Sequence, residues 1–323
     1  MPSIREFSFG AYVVEVAFLG ETGAFALGDG TVRLVDGSGE RTVAAHSGAI
    51  LAATASEARL LTGGDDGRVV LTGTDGGSET IAERPNKWID HVAAGPGRAI
   101  AFASGRQASV KLADGRKRTL DHERAVGGLA FAPKGLRLAV ARYGGVTLWW
   151  VGTDAEPAKL AWRGAHLAVA VSPDGRTVVT AMQENALHGW RLADGKDLRM
   201  TGYAAKPRSL SWSAKGRYLA TSGANAAILW PFHFKDGPMG RAPLQLGARE
   251  ALVTRVACHP RQETVAIGYQ DGMVLAVRFA DAEEALLRKP GNGPISALAW
   301  DGVGRRLAFG TEEGAAGIVD IAN

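Results

Sequence analysis

The stretch Asp29–Asp36 reads Asp-Gly-Thr-Val-Arg-Leu-Val-Asp, a turn dipeptide followed by a mostly aliphatic run. The same frame returns at residues 66–73, 271–278 and 313–320, and weaker copies centre on Val110, Thr147, Leu187 and Ile228. The copies follow one another at intervals of about 40 residues along the chain, a period typical of β-propellers. In that fold each repeat forms one four-stranded blade. The sequence therefore predicts an all-β chain built from repeated blades.

Each repeat can be divided into strands a, b, c and d, and eight a–b–c units can be aligned. One column, in the middle of strand a, holds only small side chains: Ala17, Ala52, Ala93, Ala130, Ala170, Ser211, Ala257 and Ala299. In a propeller the a strands crowd around the central axis, where only small side chains fit between adjacent sheets. The next position is larger and includes Cys258, for which apolar surroundings predict a buried structural thiol.

The two ends of the chain are expected to meet in one blade. The eighth unit, residues 295–321, has strands a, b and c but no fourth strand. The alternating run Ser3–Phe9 precedes the first unit and belongs to no unit of its own. We expect this run to form the outer strand of the last blade, because closing the ring removes exposed sheet edges. Residues 1–323 are therefore predicted to form a single closed propeller domain.

Composition argues against several classes of protein. The 43 glycines, 13 prolines and 46% hydrophobic residues suit short strands joined by tight turns. A single cysteine rules out an internal disulfide framework and suits a reducing compartment. The net charge of +4 is small and no lysine- or arginine-rich block occurs, so nucleic acid is not an expected partner. Without a signal-peptide core or a membrane-length apolar run, no membrane insertion and a cytoplasmic location are expected.

The motifs resemble those of the WD-repeat family of β-propellers across almost the whole chain. The matching features are the turns at residues 64–67 and 172–175 and three c strands that end at Trp150, Trp190 and Trp230. No c strand ends in a Trp-Asp pair, and the Gly-His dipeptide before strand a survives only as Ala45-His46 and Ala165-His166. The layout is similar to that of compact single-domain bacterial members. The repeats predict eight blades, and seven, the usual number in the family, is the alternative.

Two histidines occupy the position before strand a, where the resemblance implies a structural role. His46 and His166 are each expected to hydrogen-bond an acid in a b–c turn. The candidate acids are Asp65, Asp66 and Glu184. By contrast, His122 and His259 fall in connections and are expected to be exposed to solvent.

The histidines His91 and His188 allow an alternative function. A neutral imidazole beside a carboxylate would suit zinc, and some of the bacterial propellers that the chain resembles accompany zinc-handling GTPases. The alternative is therefore a zinc-linked accessory protein or a small-ligand-binding protein that uses these histidines near the channel mouth. Two histidines on separate blades are not a ligand set with a known spacing. The expected cofactor is none, with zinc as the alternative.

No catalytic motif occurs in the sequence. A Gly-x-Ser-x-Gly elbow, a His-Glu-x-x-His helix, a phosphate-binding loop and a dinucleotide fingerprint are all missing. Pairs of acids such as Asp65-Asp66 fall in b–c turns, where acids favour turn geometry. The protein is therefore not expected to be an enzyme.

The loops on one face of the predicted propeller carry aromatic and arginine side chains, the residue types that dominate protein interfaces. The predicted partner-binding residues are Trp88, Arg124, Tyr143, Arg163, Tyr203 and Tyr269. The alternative is that several of these side chains only cover the tops of the blades. The leading prediction is a non-catalytic scaffold that binds one or more proteins through this aromatic and basic face.

Overall fold

A computed structural model describes residues 3–321, which form β-strands almost throughout. A short 3₁₀ turn, Pro96–Arg98, is the one helical element among them. No helix in this part of the chain is long and apolar enough to cross a membrane. Strand β1 spans Ser3–Ser8 and precedes the first unit.

The strands follow the repeat order of the sequence. Units one to three contain β2 (Val13–Leu19), β3 (Thr22–Leu27), β4 (Thr31–Asp36), β5 (Gly39–Ala44), β6 (Ile50–Ser56), β7 (Arg59–Gly64), β8 (Arg68–Gly73), β9 (Ser78–Glu83), β10 (His91–Ala94), β11 (Ile100–Ser104), β12 (Gln107–Lys111) and β13 (Lys117–Asp121). Units four and five contain β14 (Val126–Phe131), β15 (Arg137–Trp150), β16 (Ala158–Val171), β17 (Thr177–Met182), β18 (Ala186–Arg191) and β19 (Lys196–Met200). The remaining units contain β20 (Leu210–Trp212), β21 (Tyr218–Thr221), β22 (Ala227–Pro231), β23 (Leu244–Leu246), β24 (Val253–Cys258), β25 (Thr264–Tyr269), β26 (Val274–Arg278), β27 (Glu284–Arg288), β28 (Ile295–Trp300), β29 (Arg306–Thr311) and β30 (Ala315–Asp320).

The repeated Asp-Gly dipeptide forms the turn between strands b and c. In the first unit, Asp29 Oδ1 accepts hydrogen bonds from the main-chain N–H of Thr31 at 3.0 Å and from its hydroxyl at 2.7 Å. Gly30 has φ +86°, in the left-handed region, and its carbonyl accepts the N–H of His46 at 3.0 Å. A Cβ at this position would overlap the carbonyl oxygen of Gly48. Glycine is thus required both by the backbone angle and by the close approach of the next connection.

The strands form seven antiparallel sheets, six with four strands and one with six. The larger sheet contains units four and five. In it, β15 folds back on itself near Tyr143, as shown by the hydrogen bond from the N–H of Val151 to the carbonyl of Leu136 at 2.9 Å. The 14-residue strand β16 then pairs with both β15 and β17, so no break separates the two units. Counted by hydrogen-bonded connection, the sheets number seven, the alternative that the sequence offered, and not eight separate ones. All eight repeat units are nevertheless present, because β15 and β16 each supply two strands.

Close backbone contacts hold β16 against its neighbours on both sides. A Cβ at Gly127 in β14 would overlap the carbonyl oxygen of His166, and a Cβ at Gly145 in β15 would overlap that of Leu160. Both carbonyls belong to β16. β16 itself runs without a break from the outer edge of unit four, where it pairs with β15, to the inner position of unit five, where it pairs with β17.

The predicted closure of the ring is confirmed. Strand β1 pairs antiparallel with β30, from Ser3 opposite Asp320 to Ser8 opposite Ala315, and so forms the fourth strand of the last sheet. Immediately after β1, the N–H of Phe9 donates to the carbonyl of Gly314 at 2.9 Å. The Phe9 ring packs edge-on against Phe25 of the first sheet, with 5.3 Å between ring centroids. The N-terminal strand therefore connects the last sheet to the first.

The apolar core is divided into clusters that lie between adjacent sheets. In one of them, Leu61 and Val69 of the second sheet pack with Ile89, Ile100 and Phe102 at the third. Along the axis, the inner strand β2 contacts β6 on one side and β28 on the other, and β10 contacts β6 and β14. The column of small residues lies in these inner strands, where the separation between neighbours is smallest, as predicted.

A charged side chain also lies in the inner wall. Glu15 in β2 lines a cavity of about 350 Å³ together with Arg208 and Arg255. Burial raises the pKa of the Glu15 carboxyl from 4.5 to about 7, although the charge of Arg255 and a hydrogen bond from the Val16 N–H at 3.1 Å oppose this change. The carboxyl is thus close to half protonated at neutral pH.

Replacing Phe9 by alanine should weaken the closure of the ring. The ring of Phe9 is buried, so its removal leaves a cavity between the first and last sheets. We expect the free energy of unfolding to fall by about 3 kcal/mol in a denaturant titration. Ile4→Ala is the matched control, because the Ile4 side chain in β1 is 42% exposed; it should cost about 0.5 kcal/mol or less. Equal losses for the two variants would contradict a closing role for Phe9.

Replacing Glu15 by glutamine should change how stability depends on pH. Because the pKa in the fold lies above the ordinary value, the stability that the protonated carboxyl contributes is present below about pH 4.5 and is lost as the pH rises through about 7. Glutamine resembles the protonated form. We therefore expect Glu15→Gln and wild type to melt alike at acid pH, and the variant to be more stable in alkali by up to about 3 kcal/mol.

Thermal melting between pH 5 and pH 8 measures this difference. Glu123→Gln is a suitable control, because Glu123 is exposed and forms no ion pair with the described residues. A stability difference for Glu15→Gln that stays constant across this pH range would contradict the assignment.

Candidate functional site

The b–c turns and the d–a connections emerge at the same end of the antiparallel sheets and together form one surface, the loop face. Four large side chains on it are exposed by 40% to 67%: Tyr12, Trp88, Tyr143 and Leu167. Exposed aromatic and aliphatic side chains that share one face of a protein are a mark of interaction surfaces. The loop face is therefore the candidate interface.

Tyr143 stands at the tip of the hairpin within β15. Gly144 and Gly145 follow it with φ values of +83° and +130°, which make the reversal tight. Arg142 braces the turn, since its Nε donates to Thr147 Oγ1 and its Nη1 donates to the carbonyl of Tyr143, both at 3.0 Å. The phenol ring is 51% exposed. The hairpin thus presents this ring to solvent from a braced backbone.

Two open cavities meet at Tyr143. The first groove, of about 610 Å³, is lined among others by Trp162, Arg163, Met182, Glu184 and Arg199. The second groove, of about 560 Å³, is lined among others by His122, Arg124, Arg142, Glu156 and Lys159. The structure therefore places Arg163 and Arg124, two of the predicted partner-binding residues, on either side of Tyr143.

Trp88 is exposed on the loop face but lines neither groove. Its main chain is held on both sides, because the N–H of Ile89 donates to the carbonyl of Gly64 at 3.0 Å and the N–H of Lys87 donates to that of Arg84 at 3.1 Å. The Ile89 side chain is fully buried and anchors the connection. The indole is 67% exposed, the largest fraction among the exposed large apolar side chains described.

Two of the predicted partner-binding tyrosines are buried, so their assignment to the exposed surface is wrong. The hydroxyl of Tyr203 accepts a hydrogen bond from Trp230 Nε1 at 2.6 Å and lies 2.7 Å from Thr221 Oγ1. The hydroxyl of Tyr269 donates to the carbonyl of Gly247. Burial raises the pKa of both phenols, that of Tyr203 to about 12. Each hydroxyl finds its partner inside the protein, which lets the apolar ring fill the core.

The predicted structural role of His46 is confirmed. Its Nδ1 lies 2.9 Å from Asp66 Oδ1, and its Nε2 lies 2.8 Å from Thr62 Oγ1. Burial alone would raise the pKa of Asp66, but hydrogen bonds from His46 and from the N–H groups of Arg68 and Ser47 lower it overall. Asp66 lies in a b–c turn, and its hydrogen bonds therefore hold the d–a connection that contains His46 and Ser47 against that turn.

The other histidines in connections differ from the predictions. His166 bonds Thr180 Oγ1 at 2.7 Å and the carbonyl of Trp162 at 3.0 Å instead of an acid. His259 is buried, with Nε2 3.0 Å from the carbonyl of Gly304, so its predicted exposure is wrong. His122 is half-buried, and neither of its ring nitrogens has a hydrogen-bond partner among residues 3–321.

Cys258 is half-buried and packs against an apolar cluster that includes Val256 and Val265, so its predicted burial is only partly met. Burial raises its pKa to about 12, and Sγ donates to the carbonyl of Ser211 at 3.4 Å. A thiol with a raised pKa is a poor nucleophile.

The candidate zinc histidines lie on strands of different sheets. His188 in β18 is fully buried, bonds Asp197 Oδ1 through Nε2 at 3.0 Å and stacks on Trp162 with 3.8 Å between ring centroids. His91 is in β10. Burial lowers the pKa of both imidazoles. Within the described part of the chain, no group of three or more His, Cys, Asp and Glu side chains is arranged to hold a metal ion.

A third cavity, of about 480 Å³, lies over the central channel and is called the channel-mouth cavity. It is lined among others by Tyr12, Lys206, Arg208, Arg255 and Glu312. Sequence reasoning missed the two arginines. A β-bulge between Val253 and Arg255 shifts the register of β24 by one residue, and such a shift changes which side chains face the channel. The sequence did contain one signal for arginines at the channel. Charged residues such as Glu15 and Arg255 lie two positions before the column of small residues in strand a.

The comparisons with known proteins agree with the motif resemblance. No protein-family model matches the chain. Over 200 residues, 59% of the chain, it is 24% identical to WD repeat-containing protein 55 of Pongo abelii, and the match spans 51% of that protein, about half of its length. The crystal structure of the computationally designed Ika8 protein matches with a TM-score of 0.78 and 18% identity, over 97% of this chain and 98% of that one. That structural likeness shows the fold alone. The closed ring of antiparallel sheets shows that the chain is a β-propeller, and its sequence match is a weak similarity to a WD-repeat protein.

Proposed function

We propose that the protein is a non-catalytic scaffold that binds a protein partner through the loop face around Tyr143. The observation that carries this proposal is the position of the exposed Tyr143 ring, on a braced hairpin between two open grooves. A propeller of WD-repeat type supports a protein-interaction role at the level of the family. A cytoplasmic location stays a prediction from the sequence.

The chemistry of this surface suits a mixed protein interface. Tyr143 supplies a rigid aromatic ring near the centre, and such rings in arginine-rich surroundings are frequent interface hot spots. Arg163 and Arg124 lie on opposite sides of it, with Glu184 in the first groove. Since both signs of charge occur, the partner need not be strongly acidic. We expect an apolar side chain of the partner to contact Tyr143 while polar groups occupy the two grooves.

Trp88 extends the proposed surface around the ring. It belongs to the connection between units two and three, whereas Tyr143 belongs to unit four. A partner that contacts both must therefore cover the tops of neighbouring sheets. Tyr203 and Tyr269 play no direct part in this proposal, because both are buried.

Substitution of Tyr143 and Trp88 tests the proposal. The partner is first captured from a lysate of the source organism with the wild-type chain and identified, and its affinity is then measured with purified components. We expect Tyr143→Ala to weaken binding at least about tenfold and the Trp88→Ala/Tyr143→Ala double variant to weaken it further. Melting temperatures should change little, since both side chains are largely exposed.

Trp150→Ala provides the matched control. Trp150 is also an exposed aromatic residue, at 42%, but it ends the c strand of unit four and lies at the opposite end of the sheet. Binding should be unchanged in this variant. A partner that binds wild type and the double variant equally well would exclude the loop face around Tyr143 as its site.

A further inference from the structure

The channel-mouth cavity contains an excess of positive charge. Lys206, Arg208 and Arg255 line it, and Glu312 is the one acidic side chain among its lining residues. None of the three cations forms an ion pair with a carboxylate of residues 3–321, whereas other arginines, such as Arg33, Arg59 and Arg249, do. Charges that the fold leaves without a partner beside an open cavity are available to an incoming ligand.

The two arginines are held in different ways, and both keep donors free. Arg255 donates from Nε to the carbonyl of Ser296 and from Nη1 to the carbonyl of Thr254, the latter at 3.3 Å, while its Nη2 has no acceptor within the described chain. Arg208 is fixed through its main-chain N–H, which donates to Ser222 Oγ at 3.1 Å. Ser222 is buried, so the base of the Arg208 side chain is well anchored. The Arg208 guanidinium makes no hydrogen bond with residues 3–321.

The same arginines also line the smaller cavity below, beside Glu15. This acid cancels only part of their charge, because its carboxyl has a pKa of about 7 and is partly protonated at neutral pH. No ion pair joins it to Arg208 or Arg255 among the contacts described. The arginines therefore lie between a weak internal acid and a solvent-accessible cavity.

We propose that the channel mouth binds a carboxylate group through Arg208 and Arg255, with Lys206 at the edge of the site. A guanidinium presents two parallel N–H donors that match the two oxygens of a carboxylate. A phosphate concentrates up to two negative charges on one group, so Glu312 would repel it more strongly than a carboxylate group, which carries one.

The remaining walls and the size of the cavity define the kind of carboxylate. Leu252, Ile295 and the ring of Tyr12 supply apolar surface for a carbon skeleton. A volume of about 480 Å³ lies within the range of small-molecule sites. It holds either a small dicarboxylic acid or an acidic side chain with the peptide around it. The ligand class is thus an organic carboxylate, free or carried by a peptide.

Calorimetric titration of the whole chain at low ionic strength tests the site. The probes are glutarate for a free dicarboxylic acid, a blocked peptide of alternating alanine and glutamate for chain-borne carboxylates, and inorganic phosphate as the competing anion. We expect one-to-one binding of at least one carboxylate probe, weakened at least tenfold by Arg208→Gln. This variant should melt like wild type, because the Arg208 guanidinium makes no hydrogen bond with the described chain.

Lys87→Gln is the control for general charge effects, because Lys87 is exposed on the loop face and does not line the cavity. It should leave carboxylate binding unchanged. Binding of glutarate or of the peptide identifies the free or the chain-borne source. The proposal is overturned if neither carboxylate probe binds wild type, if Arg208→Gln binds as well as wild type, or if phosphate binds more tightly. None of these variants alters Tyr143 or Trp88, so this site and the proposed scaffold surface can fail separately.

Discussion

Every sheet of the ring must bring its innermost strand to the same axis, and the narrow space there is the constraint on which the other features depend. Small residues such as Ala17 and Ala257 meet this constraint by letting adjacent strands approach. Several inner strands also contain a one-residue bulge near their start, for example between Val13 and Glu15 in β2 and between Val253 and Arg255 in β24. In these two strands the residue after the bulge, Glu15 or Arg255, is charged, lines a cavity at the inner wall and lies two positions before the small residue of the column. The crowding that closes the ring and the charge inside it therefore arise from the same short segments.

Much of the fold could be predicted because its determinants are local. The Asp29-Gly30 turn needs a residue that tolerates positive φ, so the need for glycine is visible wherever the turn repeats. The closing strand could be predicted because the last unit, residues 295–321, lacked a fourth strand and the run Ser3–Phe9 belonged to no unit. The number of sheets could not, since units four and five are joined by the unbroken strand β16. The repeat period does not show whether the segment between two units is a loop or a continuous strand.

The candidate site was predictable only in part, for a related reason. Trp88 and Tyr143 are exposed as predicted, whereas Tyr203 and Tyr269 turn inward and bond internal partners. All four occur in or beside the same kinds of connection, and residue type does not reveal which ones dip between sheets. The partner of His46 followed from the motif resemblance. The alternative prediction of a zinc-linked function is not supported by any cluster of metal ligands among residues 3–321.

The pairing of β1 with β30 also determines how the ring would respond to mechanical load. Ser3 lies opposite Asp320, so the outermost paired residues of the first and last strands lie side by side at the same edge of one sheet. A force that pulls the chain apart at these two points acts across the ladder and breaks its hydrogen bonds one after another, starting at Ser3 and moving toward Ser8. Strands loaded along their length would instead resist with all their bonds at once. The pairing of β1 with β30 keeps the ring closed at rest, but it should separate at low force when the chain is pulled at Ser3 and Asp320.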